Sequence, residues 1–198
     1  MKLFIKAAIT AFIISVLLSL IPFQASCSDI SDEVFRLHIL ANSDSEEDQS
    51  LKLKVRDKVL EHTAALFNKA KSKQEAESLL ADNLQSVADV AAKEISDNGY
   101  SYPVNAQIVK MHFSTRHYDN YTLPAGMYDA LRITIGEGKG HNWWCVMFPS
   151  LCLSSPDSRE EKAKEVFSEG EYDVVKNEKT EYRFFVVELF ENLSMFFN

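Results

Sequence analysis

The hydrophobic pattern of the chain changes from alternation to a helical period near residue 45. Residues 33–40 alternate loosely between apolar and polar side chains, which predicts a β-strand. From Ser45 onward the apolar residues fall three or four positions apart, as on one face of an amphipathic helix. The residues on that face are Leu51, Val55, Val59, His62 and Leu66.

A second helical period predicts another long helix from Lys73 to Asp97. Ser72 and Glu75 have the spacing of a capping box at its start, and Asn98–Gly99 is a usual stop at its end. The residues on the inner face of this helix are Leu80, Leu84, Val87, Ala91 and Ile95.

Three later stretches alternate or run apolar in the manner of strands: residues 104–113, 131–135 and 142–148. A polar, aromatic loop over 114–124 separates the first two of these strands. The glycines of 136–140 separate the last two and predict a tight hairpin. The fold class expected from these elements is α+β, with an antiparallel sheet of about four strands packed against two long helices.

The C-terminal part of the chain has two regions of opposite character. Residues 154–180 are charged and predict an exposed segment, either one helix or an ordered linker. Residues 181–198 are apolar and aromatic and predict a strand or helix that docks on the domain or on a partner. This tail contains Glu188 and Glu191 and is too short to be a good membrane span.

The N-terminal segment, residues 1–27, has the three-part pattern of an export signal or N-terminal anchor. Lys2 and Lys6 precede an apolar run from Ala7 to Phe23, and small residues follow. Cleavage after Cys27, retention as a membrane anchor and lipid attachment at Cys27 all remain open. Residues 28–198 are then expected to form a single exported domain, long enough to bury a sizeable core.

Charge and cysteine content narrow the classes of partner. Removing residues 1–27 takes away two lysines and no acid, which changes the formal charge from −8 to −10. Such a charge disfavours nucleic acid or an anionic membrane surface as the main partner. Outside the signal only Cys145 and Cys152 remain, and an even pair in an exported chain predicts a disulfide. Zinc is disfavoured because no second pair of ligands accompanies them.

The acidic stretch over residues 42–48 has the alternate spacing of a calcium-binding loop. A calcium loop has glycine at its sixth position and glutamate at its twelfth, where this chain has Glu47 and Leu53. A serine followed by an acid three residues later, beginning at Ser43 or Ser45, instead predicts the capped start of a helix. We therefore expect no metal here.

Polar and aromatic residues at strand ends are the candidates for binding a partner protein, because the fold alone does not require them there. Strand alternation places Arg36 and His38 on one face, where they either form a site, face water or pair with acids of the first helix. Trp143 and Trp144 are adjacent, so we expect one in the core and one exposed. The full candidate set is Arg36, His38, Asn42, Ser43, Asp44, Trp143 and Trp144.

An alternative function is an exported hydrolase or metal-binding enzyme that uses His112, His117 or His141. Ser114 lacks the Gly-x-Ser-x-Gly surroundings of a hydrolase nucleophile, and a cysteine in a disulfide cannot act as one. The glycines of 136–140 lack the Gly-Lys-Ser/Thr ending of a phosphate-binding loop. The residues therefore favour a protein that is not an enzyme and has no cofactor.

Three stretches of this sequence resemble stage II sporulation protein R of endospore-forming bacteria. They are RLHILANSDSEEDQSLKLKVRD, LPAGMYDALRITIGEGKGHNWWCVMFPSLC and, near the C-terminus, VVELFE. The resemblance implies a signalling protein made in the forespore and exported into the space between forespore and mother cell. It also implies a partner, the extracytoplasmic face of a membrane-embedded aspartic protease that then processes the sigma-E precursor. The family is not known as an enzyme, so the resemblance implies no catalytic residues.

Overall fold

The computed structural model describes residues 2–118, 121–151, 156–176 and 184. Their elements, in chain order, are α1 (Lys2–Glu33), β1 (Phe35–Leu40), α2 (Glu46–Phe67), α3 (Lys73–Asp82), α4 (Leu84–Asp97), β2 (Val104–Phe113), β3 (Arg116–Tyr118), β4 (Tyr121–Leu123), β5 (Gly126–Ile135), β6 (Asn142–Phe148), α5 (Pro156–Val166) and α6 (Glu169–Lys176).

The chain divides into two compact units. One comprises residues 32–112 and 127–167, and the other comprises residues 1–31, 113–126 and 168–198. The first unit holds nearly all of the four-stranded sheet and the helices α2 to α5. That residues 28–198 behave as a single domain stays a prediction.

The main sheet has the strand order β2-β5-β1-β6. Strand β1 pairs in parallel with β5, where Leu37 lies opposite Leu131, and antiparallel with β6, where Leu37 lies opposite Cys145. The α+β class is confirmed. The expected antiparallel pairing holds for β1 with β6 and is wrong for β1 with β5. A parallel pair needs a long connection, and here helices α2 to α4, strand β2 and the β3–β4 hairpin provide it.

Helices α2, α3 and α4 supply the helical side of the core, as the apolar spacing predicts. The alternation of β1 directs Phe35, Leu37 and Ile39 into that core and places Arg36 and His38 on the opposite face. At the start of α3, the buried Lys73 forms an ion pair with Asp129 of β5. The largest apolar contributions from the helices come from Leu51, Val55, Val59, Phe67, Leu80, Val87 and Ile95.

The second predicted helix is two helices in the structure, α3 and α4, separated at Asn83. The backbone of Asn83 leaves the helical region with φ −112° and ψ 9°, and its side-chain amide donates to the carbonyl of Leu79. Asparagine competes in this way with the backbone hydrogen bonds of a helix. The helical period continues across the break, so the sequence pattern did not reveal it.

The polar stretch over residues 114–124, expected as a loop, contains a short hairpin made by β3 and β4. His117 lies opposite Thr122, and the rings of Tyr118 and Tyr121 stack with centroids 4.7 Å apart. Strands of three residues are too short for alternation to be recognised. The hairpin is a feature that the hydrophobic pattern missed.

The charged segment over residues 154–180 is not uniformly exposed. Its described part contains α5 and α6, in which Ala163 and Val175 are buried, and Phe167 between them is buried as well. Of the apolar tail over residues 181–198, only Phe184 is described. Its ring packs against Phe23 of α1 with centroids 5.4 Å apart, while the rest of the predicted tail element lies outside the described residues.

The N-terminal segment belongs to the long helix α1, which exposes large apolar side chains. Phe4, Ile9 and Phe12 are 85%, 54% and 70% exposed, whereas Cys27 near the other end is buried. In the described part of the chain, none of the helices combines the length and the apolar character needed to cross a membrane. Whether residues 1–27 act as an export signal or anchor stays a prediction.

Candidate functional site

The loop after β1 and the loop after β5 meet at one end of the sheet. Strands β5 and β6 lie on either side of β1, so residues 136–141 must cross the end of β1 to connect them. This segment, residues 136–141, is called the crossing. It is held by backbone hydrogen bonds from Lys139 to the Asn42 carbonyl, 3.1 Å, and from Gly140 to the Ala41 carbonyl, 3.0 Å. The predicted glycine hairpin is therefore wrong, because β5 and β6 are not neighbours.

The glycines of the crossing are required by close approach to the β1 loop. A Cβ at Gly140 would lie 2.1 Å from the backbone oxygen of Ser43. Gly136 has a φ of +57°, and a Cβ there would lie 2.2 Å from Oδ1 of Asn42. Only glycine leaves room for the two loops at these distances.

Asp48 organises the loop after β1 from within the first turn of α2. Its Oδ2 accepts hydrogen bonds from Asn42 Nδ2 at 2.8 Å and from Ser43 Oγ at 2.6 Å. Ser45 is the N-cap of α2, and its side chain accepts from the Asp48 backbone N–H. The predicted helix start is confirmed, with the Asp48 carboxylate turned toward the loop rather than back to the cap residue.

The buried Asp48 carboxylate is held ionised by its hydrogen bonds. Burial raises the pKa of Asp48, but hydrogen bonds from Ser43, Asn42 and Tyr102 outweigh this effect and leave the pKa below its ordinary value. At Tyr102, burial and the hydrogen bond to Asp48 raise the pKa of the phenol. This arrangement stabilises one conformation of the loop at neutral pH.

Asp44 and His141 form the exposed part of the crossing. The Asp44 carboxylate accepts from both the backbone N–H and the ring Nδ1 of His141, and these bonds hold the pKa of Asp44 below its usual value. The two side chains are 54% and 80% exposed. They present a carboxylate and an imidazole to whatever contacts this end of the sheet.

Lys52 connects helix α2 to the crossing. Its buried ammonium donates to Gln49 Oε1 at 2.6 Å and to the His141 carbonyl at 2.8 Å. Burial lowers the pKa of Lys52, although the nearby Asp44 carboxylate opposes the shift. Asn42, Ser43, Asp44, Asp48, Lys52 and His141 together are the crossing cluster, in which most polar groups satisfy one another.

Arg36 and His38 lie where a rigid partner cannot reach them. Arg36 is 0% exposed, with its guanidinium 4.8 Å from the centroid of the Tyr128 ring. His38 is 4% exposed and packs edge-on against Trp144. Burial lowers the pKa of His38 to about 4, with the charges of Arg132 and Arg36 adding to the shift, so the imidazole is neutral at pH 7. The expectation that Arg36 and His38 form part of an exposed surface is therefore wrong for this conformation.

Trp143 is the exposed member of the tryptophan pair. It is 37% exposed at the start of β6, and the guanidinium of Arg56 from α2 lies 4.5 Å from the centroid of its indole ring. Trp144 is half-buried against His38 on the other face of the sheet. Arg56 was not among the site residues predicted from the sequence. The signal that could have found it is its spacing from Lys52, because two basic residues four positions apart lie on the same edge of α2.

The three histidines of the enzyme alternative lie on separate elements. His112 is in β2, His117 contacts Thr122 in the β3–β4 hairpin, and His141 contacts Asp44. Within the described ranges, no three histidine, cysteine or carboxylate side chains are grouped so as to hold a metal ion. That the chain is not an enzyme stays a prediction. Cys145 is buried in β6, and its predicted partner Cys152 lies outside the described residues.

Comparison with known proteins identifies the family. A family model described as stage II sporulation protein R matches residues 31–158. The chain belongs to the stage II sporulation protein R family. One relative, named stage II sporulation protein R, from Bacillus subtilis (strain 168), is 33% identical over an alignment of 185 positions, and the match covers 83% of each chain. No solved structure matches this chain.

The stretch shared with the stage II sporulation protein R family begins just before β1 and ends within α5. It therefore contains the main sheet, helices α2 to α4, the crossing cluster and Trp143. Most of helix α1, with its exposed apolar residues, lies outside it. The resemblance seen in the sequence is confirmed.

Proposed function

We propose that this chain is an exported signalling protein of sporulation that activates a membrane-embedded aspartic protease, which then processes the sigma-E precursor. The observation that carries the proposal is the family match over residues 31–158. The signal would act in the space between forespore and mother cell. To activate its receptor, it must bind the active state more tightly than the inactive one, since equal affinity would shift no equilibrium.

Two features of the chain support an extracytoplasmic role. The apolar run of residues 7–23 follows two lysines, and large apolar side chains of α1 such as Phe4 and Phe12 are exposed. Exposed apolar surface of this kind is typical of a segment that engages lipid or another protein. Residues 1–27 would therefore direct export or anchor the chain.

The proposal is tested by rebuilding precursor processing from its parts. The full chain, the receptor protease and the sigma-E precursor are coexpressed in a host that lacks them, and precursor cleavage is followed by immunoblot. We expect cleavage only when all three are present. Cleavage of equal extent without this chain, or cleavage by this chain without the receptor, would contradict the proposed function.

We propose Trp143, with Asp44 beside the same end of the sheet, as the contact surface for the receptor. Exposed tryptophan next to arginine is the usual composition of an interface hot spot. Trp143→Ala is expected to slow precursor cleavage by roughly 30-fold, corresponding to about 2 kcal/mol of lost binding. The matched control is Met127→Ala, which truncates another exposed apolar side chain, 42% exposed on β5. Equal cleavage rates in the two variants would remove Trp143 from the interface.

The proposed export also predicts a disulfide between Cys145 and Cys152, in accordance with an oxidising compartment. Thiol labelling of the denatured, exported protein should modify neither cysteine before reduction and both after it. Closing this short loop is expected to stabilise the fold by about 2 kcal/mol. Labelling of both residues in the unreduced exported protein would show that the bond does not form.

A further inference from the structure

A cavity of about 290 Å³ opens where the end of α2, the end of β6 and helix α5 come together. The side chains of Phe67, Phe148 and Pro149, all buried, form its apolar floor. Pockets for small-molecule cofactors usually measure about 300 to 1,000 Å³. The cavity is thus at the lower limit for a cofactor, and its size suits one large side chain of another protein.

Two lysines stand at the rim of this cavity, and among the described residues neither ammonium group pairs with a carboxylate. The exposed Lys71 bonds to the Glu75 carboxylate through its backbone N–H, at 2.9 Å, and not through its ammonium. Within the same residues, the half-buried Lys162 donates to the neutral Oδ1 of Asn68, at 3.3 Å. The ammonium groups of Lys58, Lys73, Lys93, Lys139 and Lys164 pair with carboxylates, whereas those of Lys52 and Lys54, like that of Lys162, donate to neutral oxygens. Glu165 also lines the cavity, so the rim has a net charge of +1 on a chain whose net charge is −8.

The cavity lies in line with the exposed tryptophan along α2 and β6. Arg56, beside the tryptophan, is followed at helical spacing on α2 by Leu60 and Phe67. A smaller cavity, lined by Leu60, Thr63 and Met147, lies between the tryptophan and the larger cavity. From Arg56 to Phe67, α2 rises about 17 Å. From Trp143 to Phe148, β6 also extends about 17 Å. About five extended residues of a partner therefore reach from the tryptophan to the cavity.

We propose that the Lys71–Lys162 cavity binds a receptor segment in which a large apolar side chain is flanked by aspartate or glutamate. The apolar side chain fills the cavity, and its neighbouring carboxylates pair with the two lysines. The charge of the rim is what selects an acidic segment, because a basic one would bring like charges together. This inference rests on the proposed function and adds to it the chemistry of the receptor segment.

Binding is tested with the full chain and two short peptides that differ only in charge. The probes are acetyl-Ser-Glu-Phe-Glu-Ser-amide and acetyl-Ser-Lys-Phe-Lys-Ser-amide, titrated while the amide resonances of residues 67–71, Phe148 and Ser150 are followed by NMR. We expect the acidic peptide to bind about tenfold more tightly than the basic one. We also expect its affinity to fall as salt is added.

Charge reversal provides a matched set of variants. Lys71→Glu combined with Lys162→Glu should lose the preference for the acidic peptide and acquire one for the basic peptide. Because this outcome is a gain of binding, unfolding cannot produce it. The control is Lys93→Glu, an exposed lysine on α4, which should bind both peptides as the unmodified chain does. Equal binding of the two peptides by the unmodified chain, or an unchanged preference in the double variant, would overturn the proposal.

The processing assay separates this inference from the proposed function. If the unmodified chain fails to trigger precursor cleavage, the proposed function fails, whatever the peptides do. If the unmodified chain triggers cleavage, the double variant is expected to do so about tenfold more slowly. Undiminished cleavage by the double variant would show that the cavity is not a receptor site and would overturn the inference alone.

Discussion

Replacing Gly140 with alanine is expected to lower the free energy of unfolding by about 3 kcal/mol. The added methyl group would lie 2.1 Å from the backbone oxygen of Ser43 and 3.0 Å from Cβ of Ala41. A backbone oxygen cannot rotate away as a side chain can, so the two loops must separate. Their separation breaks the hydrogen bond from Gly140 to the Ala41 carbonyl and displaces His141 from Asp44.

The measurement is urea unfolding followed by circular dichroism, with Gly170→Ala as the matched control. Gly170 lies in the first turn of α6 and has no atom within 4 Å of an added Cβ. The same chemical change there should be neutral, or stabilising by up to about 1 kcal/mol, because alanine favours helix. Similar unfolding midpoints for the two variants would show that the loops do not approach as closely as described.

The elements of this fold were predictable where the signal is local. The start of α2 follows from serine and acids at fixed spacing, and β6 follows from an apolar run after glycines. Strand order was not predictable, because β1 pairs with β5 across some 90 intervening residues and nothing local records that pairing. The glycines of 136–140 fit a hairpin and a strand crossing equally well until that order is known.

The candidate site was predictable in part, for a related reason. Asn42, Ser43 and Asp44 do come together, since they belong to one loop with its own hydrogen bonds. Arg36 and His38 were misjudged because polar residues alternating in a strand usually face water. A central strand with neighbours on both sides is often covered on both faces, and there a polar side chain is buried with its partners. His141 came from a distant loop, so its contact with Asp44 had no signal in the sequence.

Replacing Asp48 with alanine is expected to cost about 3 kcal/mol of unfolding free energy, because three side-chain donors lose their shared acceptor. The half-buried side chains of Asn42, Ser43 and Tyr102 all bond to the carboxylate of Asp48, a residue that is only 4% exposed. A buried donor left unsatisfied costs about 1–3 kcal/mol. The control is Glu47→Ala, which removes an exposed acid from the same helical turn. It should cost less than about 1 kcal/mol, the usual value of a charge near a helix N-terminus.

The same pair of variants is expected to differ in how stability depends on pH. The folded protein holds the pKa of Asp48 below its ordinary value, so below about pH 5 the unfolded chain takes up protons that the folded chain does not. The stabilisation is therefore complete above about pH 5 and is lost as the pH falls through the lowered pKa of the folded state. Asp44 has a lowered pKa as well and keeps its contribution in both variants. The free energy of unfolding, measured between about pH 2 and pH 7, should therefore fall less steeply with decreasing pH for Asp48→Ala than for Glu47→Ala. Parallel curves for the two variants would mean that the ionised carboxylate of Asp48 does not stabilise the loop.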